Sequence, residues 1–162
     1  MIDVEISNRQ RALKLDRALL RKAVKLVLEG ENFESAEISL AVVDDPQIHE
    51  LNRRWLDHDY PTDVISFVLE QDERHLESEI IVSADTAAQS AQRFGWAAAD
   101  ELLLYVIHGT LHLAGYDDLD DDEQQRMRER ERHYLSLLGR TPPSGDPVAL
   151  QGRKSSSIEA AP

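Results

Sequence analysis

The chain has 162 residues, 41% of them hydrophobic and 30% charged, the balance of an ordinary soluble globular protein with one domain. It has no cysteine, which excludes disulfides and thiolate metal ligands, so any metal must be held by His, Asp or Glu. A formal net charge of −13, from 31 acidic and 18 basic residues, argues against broad non-specific attraction to nucleic acid but not against a local RNA site. No apolar run approaches a membrane span and no basic-then-apolar leader opens the chain, so a cytoplasmic protein without a membrane partner is the simplest expectation.

Met1 to Ser7 alternates apolar and polar residues, the pattern of a half-buried strand, and the basic connection Asn8-Arg9-Gln10-Arg11 follows. Asp16 is placed to cap a helix running to about Gly30, with Leu19, Ala23, Leu26 and Val27 as its apolar stripe. Ala36 to Val43 reads as a second strand, and Pro46 suits the first turn of a helix through about Trp55. Asp57 to Asp63 is a turn, Val64 to Leu69 a third strand, Glu70 to Glu77 an acidic loop and Glu79 to Ser83 a fourth strand. A helix from about Ala84 stops at Gly95, and another, apolar nearly all round, begins near Asp100. Asp120 and Glu123 have capping-box spacing and open a last helix through Met127, Tyr134 and Leu138 to Gly139. The expected architecture is a single α+β domain over residues 1–140, a small mixed four-stranded sheet packed with about five helices, one of them buried and histidine-bearing. Residues 141–162 lack an apolar period and read as a disordered tail.

The chemistry concentrates in His108-Gly-Thr-Leu-His112-Leu-Ala-Gly115-Tyr-Asp-Asp118. Residues four apart share a helix face, so both imidazoles can address one point. Gly115 suits the left-handed turn that ends many helices, letting a following carboxylate return toward the rings. Two histidines and an oxygen ligand with a fourth position open make a catalytic metal site. A His-x-x-x-His pair alone is more often ordinary than functional. Here both rings lie in a strongly apolar helix, and Gly109 sits mid-helix, where glycine costs about 1 kcal/mol relative to alanine, implying a close packing approach.

At these residues the chain resembles the YbeY family of bacterial endoribonucleases, which act in ribosomal RNA maturation. The resemblance extends through Leu51-Asn52, Pro61-Thr-Asp-Val-Ile-Ser-Phe67 and Glu79-Ile-Ile-Val-Ser83, covering most of residues 38 to 138. It implies a compact α+β fold, a zinc site in a cleft, and single-strand-specific cleavage tied to 16S rRNA processing and ribosome quality control. The implied partners are single-stranded rRNA precursor and the ribosome or its small subunit, with no DNA expected. Carried over position by position, the metal ligands are His108, His112 and Asp118, because Asp118 stands where the family usually has a third histidine. Aspartate is a competent zinc ligand, but it lowers the net charge of the site by one and favours harder divalent metals somewhat more. A second departure is Leu56, in the position of an arginine implicated in the family's activity; Arg53 and Arg54 are near in sequence but out of register.

Other residues carry plainer readings. Asp120 to Asp122 suit a helix N-terminus, whereas Asp117 suits a turn or a group orienting a ligand histidine. His58, beside Asp57 and Asp59, reads as a surface residue able to reach the cleft, and His49, His75 and His133 as solvent-facing. Thr62-Asp63 either caps a turn or lines the cleft, and Arg9, Arg11, Arg53 and Arg54 either bind phosphate or lie on solvated faces. The motif names no general base. Gly109 follows His108 where His-Glu-x-x-His proteases carry their glutamate, which weakens a peptidase reading. The alternatives to a metal-dependent endoribonuclease are a metal-dependent hydrolase of another substrate and a ribosome-associated assembly factor with a structural metal.

Overall fold

A computed structural model of the chain describes residues 1–56, 63–72, 75–143 and 155–159. The N-terminal alternation becomes strand β1 (Ile2–Arg9), with Ile2 and Val4 buried and Asp3 and Glu5 exposed. Helix α1 (Arg17–Gly30) starts where expected, because Asp16 accepts a hydrogen bond from the Leu19 amide. It returns the chain to β2 (Ser35–Val43), which lies parallel to β1. Helix α2 (Asp45–Leu56) follows, and β3 (Val64–Gln71) and β4 (His75–Ser83) then form an antiparallel pair. These two strands are longer than their apolar runs, taking in most of the acidic segment assigned to a loop. Pairing of Glu70 with Glu77 and Gln71 with Leu76 extends the hairpin, and Leu76 is anchored in the core. Helices α3 (Ala84–Phe94), α4 (Ala98–Leu113) and α5 (Asp121–Leu137) complete the helical layer.

The four expected strands lie in the order β1-β2-β4-β3, with β4 parallel to β2, which makes the sheet mixed. A fifth strand, β5 (Ser155–Glu159), pairs parallel with the outer edge of β3. Those five residues depart from the disorder expected of the C-terminal tail. Their Ser-Ser-Ser run has no apolar alternation to announce a strand, and pairing at a sheet edge needs only backbone donors and acceptors.

Period-two alternation sends the sheet's side chains to two separate cores. Ile38, Leu40, Val42, Val64, Ile80 and Val82 join α1, α3, α4 and α5 in the larger one. Val43, Ile65, Phe67 and Ile81 meet Ile48 of α2 in the smaller. Helix α4 lies in the larger core, and Leu102 through Ile107 are all buried, which accounts for its lack of a polar face. Its buried Glu101 is satisfied by the Trp96 indole, which donates at 2.7 Å.

Gly109 is a point of close approach between α4 and the sheet. A Cβ there would lie 2.9 Å from Val64 Cγ2, 3.0 Å from Ile80 Cγ2 and 3.1 Å from Ser66 Oγ. Ser66 also donates to the Gly109 carbonyl at 3.1 Å. Two of those neighbours are β-branched and held by the sheet, so the helix must move instead. Alanine gains about 1 kcal/mol of helix propensity but incurs overpacking of roughly 3 kcal/mol. Gly109→Ala is therefore expected to destabilise the protein by about 2 kcal/mol in denaturant titration. Stability equal to or above wild type would refute this contact.

Candidate metal centre

The last turns of α4 carry both histidines on one face, and their rings meet edge to face with centroids 4.5 Å apart. The helix then ends in a Schellman turn. The Gly115 amide donates to the His112 carbonyl at 3.1 Å and the Tyr116 amide to the Leu111 carbonyl at 3.0 Å, with Gly115 at φ +105°. That reversal returns Asp118 to the histidines. Asp118 Oδ2 lies 3.4 Å from His108 Nε2 and 3.6 Å from His112 Nε2, and the two Nε2 atoms are 3.0 Å apart. A tetrahedral centre with bonds of about 2.0–2.1 Å separates its ligand atoms by about 3.3 Å. These three donors therefore have the spacing and chemistry to hold one divalent ion.

The electrostatics match a cation site. Burial depresses the His108 pKa, but the Asp118 and Glu131 carboxylates outweigh it and raise the value to about 10. Burial likewise opposes ionisation of Asp118, yet hydrogen bonding to His108 and His112 holds its carboxyl well below the ordinary range. Asp63, buried at the start of β3, adds its charge to the field that raises His108. It also accepts from the Val64 amide at 2.8 Å, the contact expected of a residue capping the entry to β3. Thr62 and His58 lie outside the described residues.

Helix α5 secures this arrangement from behind. Glu131 is only 2% exposed, and its Oε2 lies 2.9 Å from His108 Nδ1. Gln124 Nε2 donates to the Asp118 carbonyl at 3.0 Å. Asp120 closes the expected capping box with Glu123, while Asp121 and Asp122 are exposed in the first turn, as the helix-terminus reading requires. Beside the ligand loop, Glu31 at the end of α1 accepts from Tyr116 at 2.8 Å, from Arg130 at 2.6 Å and from Tyr134 through a short contact. Burial alone would raise the Glu31 pKa, but these three donors lower it, so the carboxylate that staples the loop to α1 and α5 stays ionised.

His112 is held differently. Its Nδ1 is buried without a hydrogen-bond partner among the described residues, and Asp117 Oδ1 stands 3.9 Å away on a half-exposed side chain. Asp117 is thus a neighbour of the His112 ring but not a hydrogen-bonding one here. Of the other histidines, His133 is exposed; His49 is half-buried, and so is His75, which meets Ser35 Oγ at 2.6 Å. Arg9, Arg11, Arg53 and Arg54 are exposed, and Arg53 pairs with Glu50 at 2.7 Å in a surface contact of little energetic weight. Leu56 ends α2, and its side chain lies outside the described residues.

Glu131 was not legible as a site residue. It sits in Arg126-Met-Arg-Glu-Arg-Glu-Arg132, which reads as a solvated charged face. One signal was available: Met127, Glu131, Tyr134 and Leu138 share a helical stripe, so Glu131 is a carboxylate where an apolar residue belongs.

Residues 5–139 match the family model described as Endoribonuclease YbeY. A protein named Endoribonuclease YbeY from Desulfitobacterium hafniense (strain Y51) is 40% identical over 130 residues, covering 74% of this chain and 81% of the relative. Another of that name from Chlorobium luteolum (strain DSM 273 / BCRC 81028 / 2530) is 39% identical over 139 residues, covering 86% of this chain and 100% of the relative. The solution structure of TM1509 from Thermotoga maritima aligns with a TM-score of 0.60 at 29% identity, covering 90% of this chain and 96% of that one. The mixed sheet, the histidine helix and a match spanning nearly the whole globular part agree, and the chain belongs to the endoribonuclease YbeY family.

Proposed function

We propose that the chain is a metal-dependent endoribonuclease that cleaves single-stranded rRNA precursor on the ribosome or its small subunit, in late 16S rRNA maturation and ribosome quality control. His108, His112 and Asp118 hold one divalent ion, zinc. The observation that carries this reading is the convergence of three metal-competent donor atoms, 3.0 to 3.6 Å apart, in a chain of this family. The ion, when bound, supplies Lewis acidity to polarise a phosphoryl oxygen or to activate water. The protein's residues supply the rest. The apolar helix fixes both rings, and the Gly115 turn brings in Asp118. Gly109 after His108 leaves the helix without the in-line base of a His-Glu-x-x-His protease, which favours a phosphodiester over a peptide substrate. Single-stranded RNA offers unstacked bases and an accessible backbone, features a site can select without reading sequence. A cytoplasmic location follows from a ribosomal substrate, and no described helix is long and apolar enough to cross a membrane.

The second reading, an assembly factor with a structural metal, is favoured by Leu56 standing in the place of the family's arginine. Zinc-loaded, chelator-stripped and zinc-restored protein should be compared on single-stranded and duplex rRNA. Cleavage of the single strand by the loaded and restored samples only is the expected result. Undiminished cleavage after stripping would remove the metal from the mechanism, and ribosome binding without cleavage would select the assembly-factor reading. In parallel, Asp118→Ala should fall well below the about one ion per chain expected of wild type. Unchanged metal content would remove Asp118 from the ligand set.

A further inference from the structure

We propose that Glu131 is a positioning residue that fixes the tautomer and ring orientation of His108, so that Nε2 presents its lone pair to the metal. The proposal rests on the metal-centre reading above and concerns a residue outside the ligand set. A carboxylate oxygen accepts hydrogen bonds, so the 2.9 Å contact with Glu131 Oε2 assigns the donor proton to His108 Nδ1. The other ring nitrogen is thereby directed to the point shared with His112 Nε2 and Asp118 Oδ2. A neutral imidazole left to itself interconverts between tautomers and can offer either nitrogen; this contact selects one.

Burial makes the contact specific. Glu131 lies on the apolar stripe of α5 among Met127, Tyr134 and Leu135, where a lone carboxylate is costly unless a partner requires it. The His108 ring is that partner, and the pair links α5 to α4 at the centre itself. Among the described residues His112 has no equivalent, since Asp117 is 3.9 Å from its Nδ1 and half-exposed. The two ligand rings are therefore held unequally, and α5 governs only one of them. A carboxylate behind a ligand histidine raises the basicity of the ring and stiffens it, and removing such a partner typically weakens metal affinity by about 10–100-fold.

The test compares zinc affinity in wild type, Glu131→Gln and Glu131→Met, by competition with a chromophoric chelator well below each protein's melting temperature. Glutamine keeps the shape and an accepting oxygen but not the charge, so a loss of about 10-fold is expected; methionine has no acceptor and should lose about 100-fold. A merely structural role would lower the melting temperature and leave zinc affinity unchanged, which would overturn the proposal. Long-range 1H–15N spectra of zinc-loaded wild type need no variant to fold. They should show His108 protonated at Nδ1 and coordinated through Nε2, and the reverse assignment would overturn the proposal too. If wild type binds no zinc, the metal-centre reading fails and this inference with it. Wild-type binding with unaltered variants sinks this inference alone.

Discussion

His112→Ala is expected to abolish stable metal retention and, with it, cleavage of single-stranded RNA by about 10³-fold or more. The magnitude follows from the role of the ion, because metal stabilisation of transition-state charge contributes several kcal/mol and each 1.36 kcal/mol is a factor of ten. His112 is chosen over His108 because its ring is not tied through Nδ1 to another described helix. Its Nδ1 has no hydrogen-bond partner among the described residues, whereas His108 is paired to Glu131 on another helix. Bound metal is read by elemental analysis after gel filtration, and folding by circular dichroism against chelator-stripped wild type. Cleavage equal to wild type in a folded, metal-free variant would end the metal-centred mechanism.

A comparably large effect is expected from pH. In the free protein His108 has its pKa raised to about 10, so near neutrality it carries a proton that a metal must displace. Asp118 is shifted the opposite way, below the ordinary carboxylate range, and is ionised throughout the neutral region. Zinc affinity should therefore rise about tenfold per pH unit between roughly pH 7 and 9, with release of about one proton per ion bound. Stability of the free protein has the opposite dependence. The raised His108 contributes fully below the unfolded histidine pKa of about 6.5 and is lost as pH rises through about 10. The depressed Asp118 contributes above the unfolded aspartate pKa of about 3.9 and is lost as pH falls toward its lowered value. Calorimetry in two buffers of different ionisation enthalpy reads the proton release directly. A pH-independent affinity would mean that His108 is neutral in the free protein or is not a ligand.

In the proposed centre the Asp118 and Glu131 carboxylates together would set a charge that the histidine motif alone does not express. With a divalent ion and two neutral histidines, the two carboxylates bring the formal charge of the cluster to about zero. A third histidine in place of Asp118 would leave it at about +1. In the proposed centre Lewis acidity would be correspondingly tempered, in favour of harder divalent metals.

Much of this protein was legible in its sequence, for a physical reason. Helix caps, turn glycines and hydrophobic periods are local instructions, and local hydrogen bonding carries them out. Asp16 caps α1, Asp120 and Glu123 close their box, and Gly115 adopts the left-handed turn that its position asks for. The i, i+4 histidine pair fixes a shared face before any tertiary contact forms. Strand order, by contrast, depends on which hydrophobic faces find each other, so the insertion of β4 between β2 and β3 emerged only in three dimensions. The acidic segment between β3 and β4 read as a loop because its composition hid cross-strand pairing. Gly109 announced a close approach but not what it approached, and only the packed sheet supplies Val64, Ser66 and Ile80. Glu131 is 23 residues from His108, inside a run of alternating charge, and no local period links the two. Its place is set by helix α5 crossing behind α4, a long-range contact decided by core packing, so the candidate donors could be read from the chain while the carboxylate behind one of them could not.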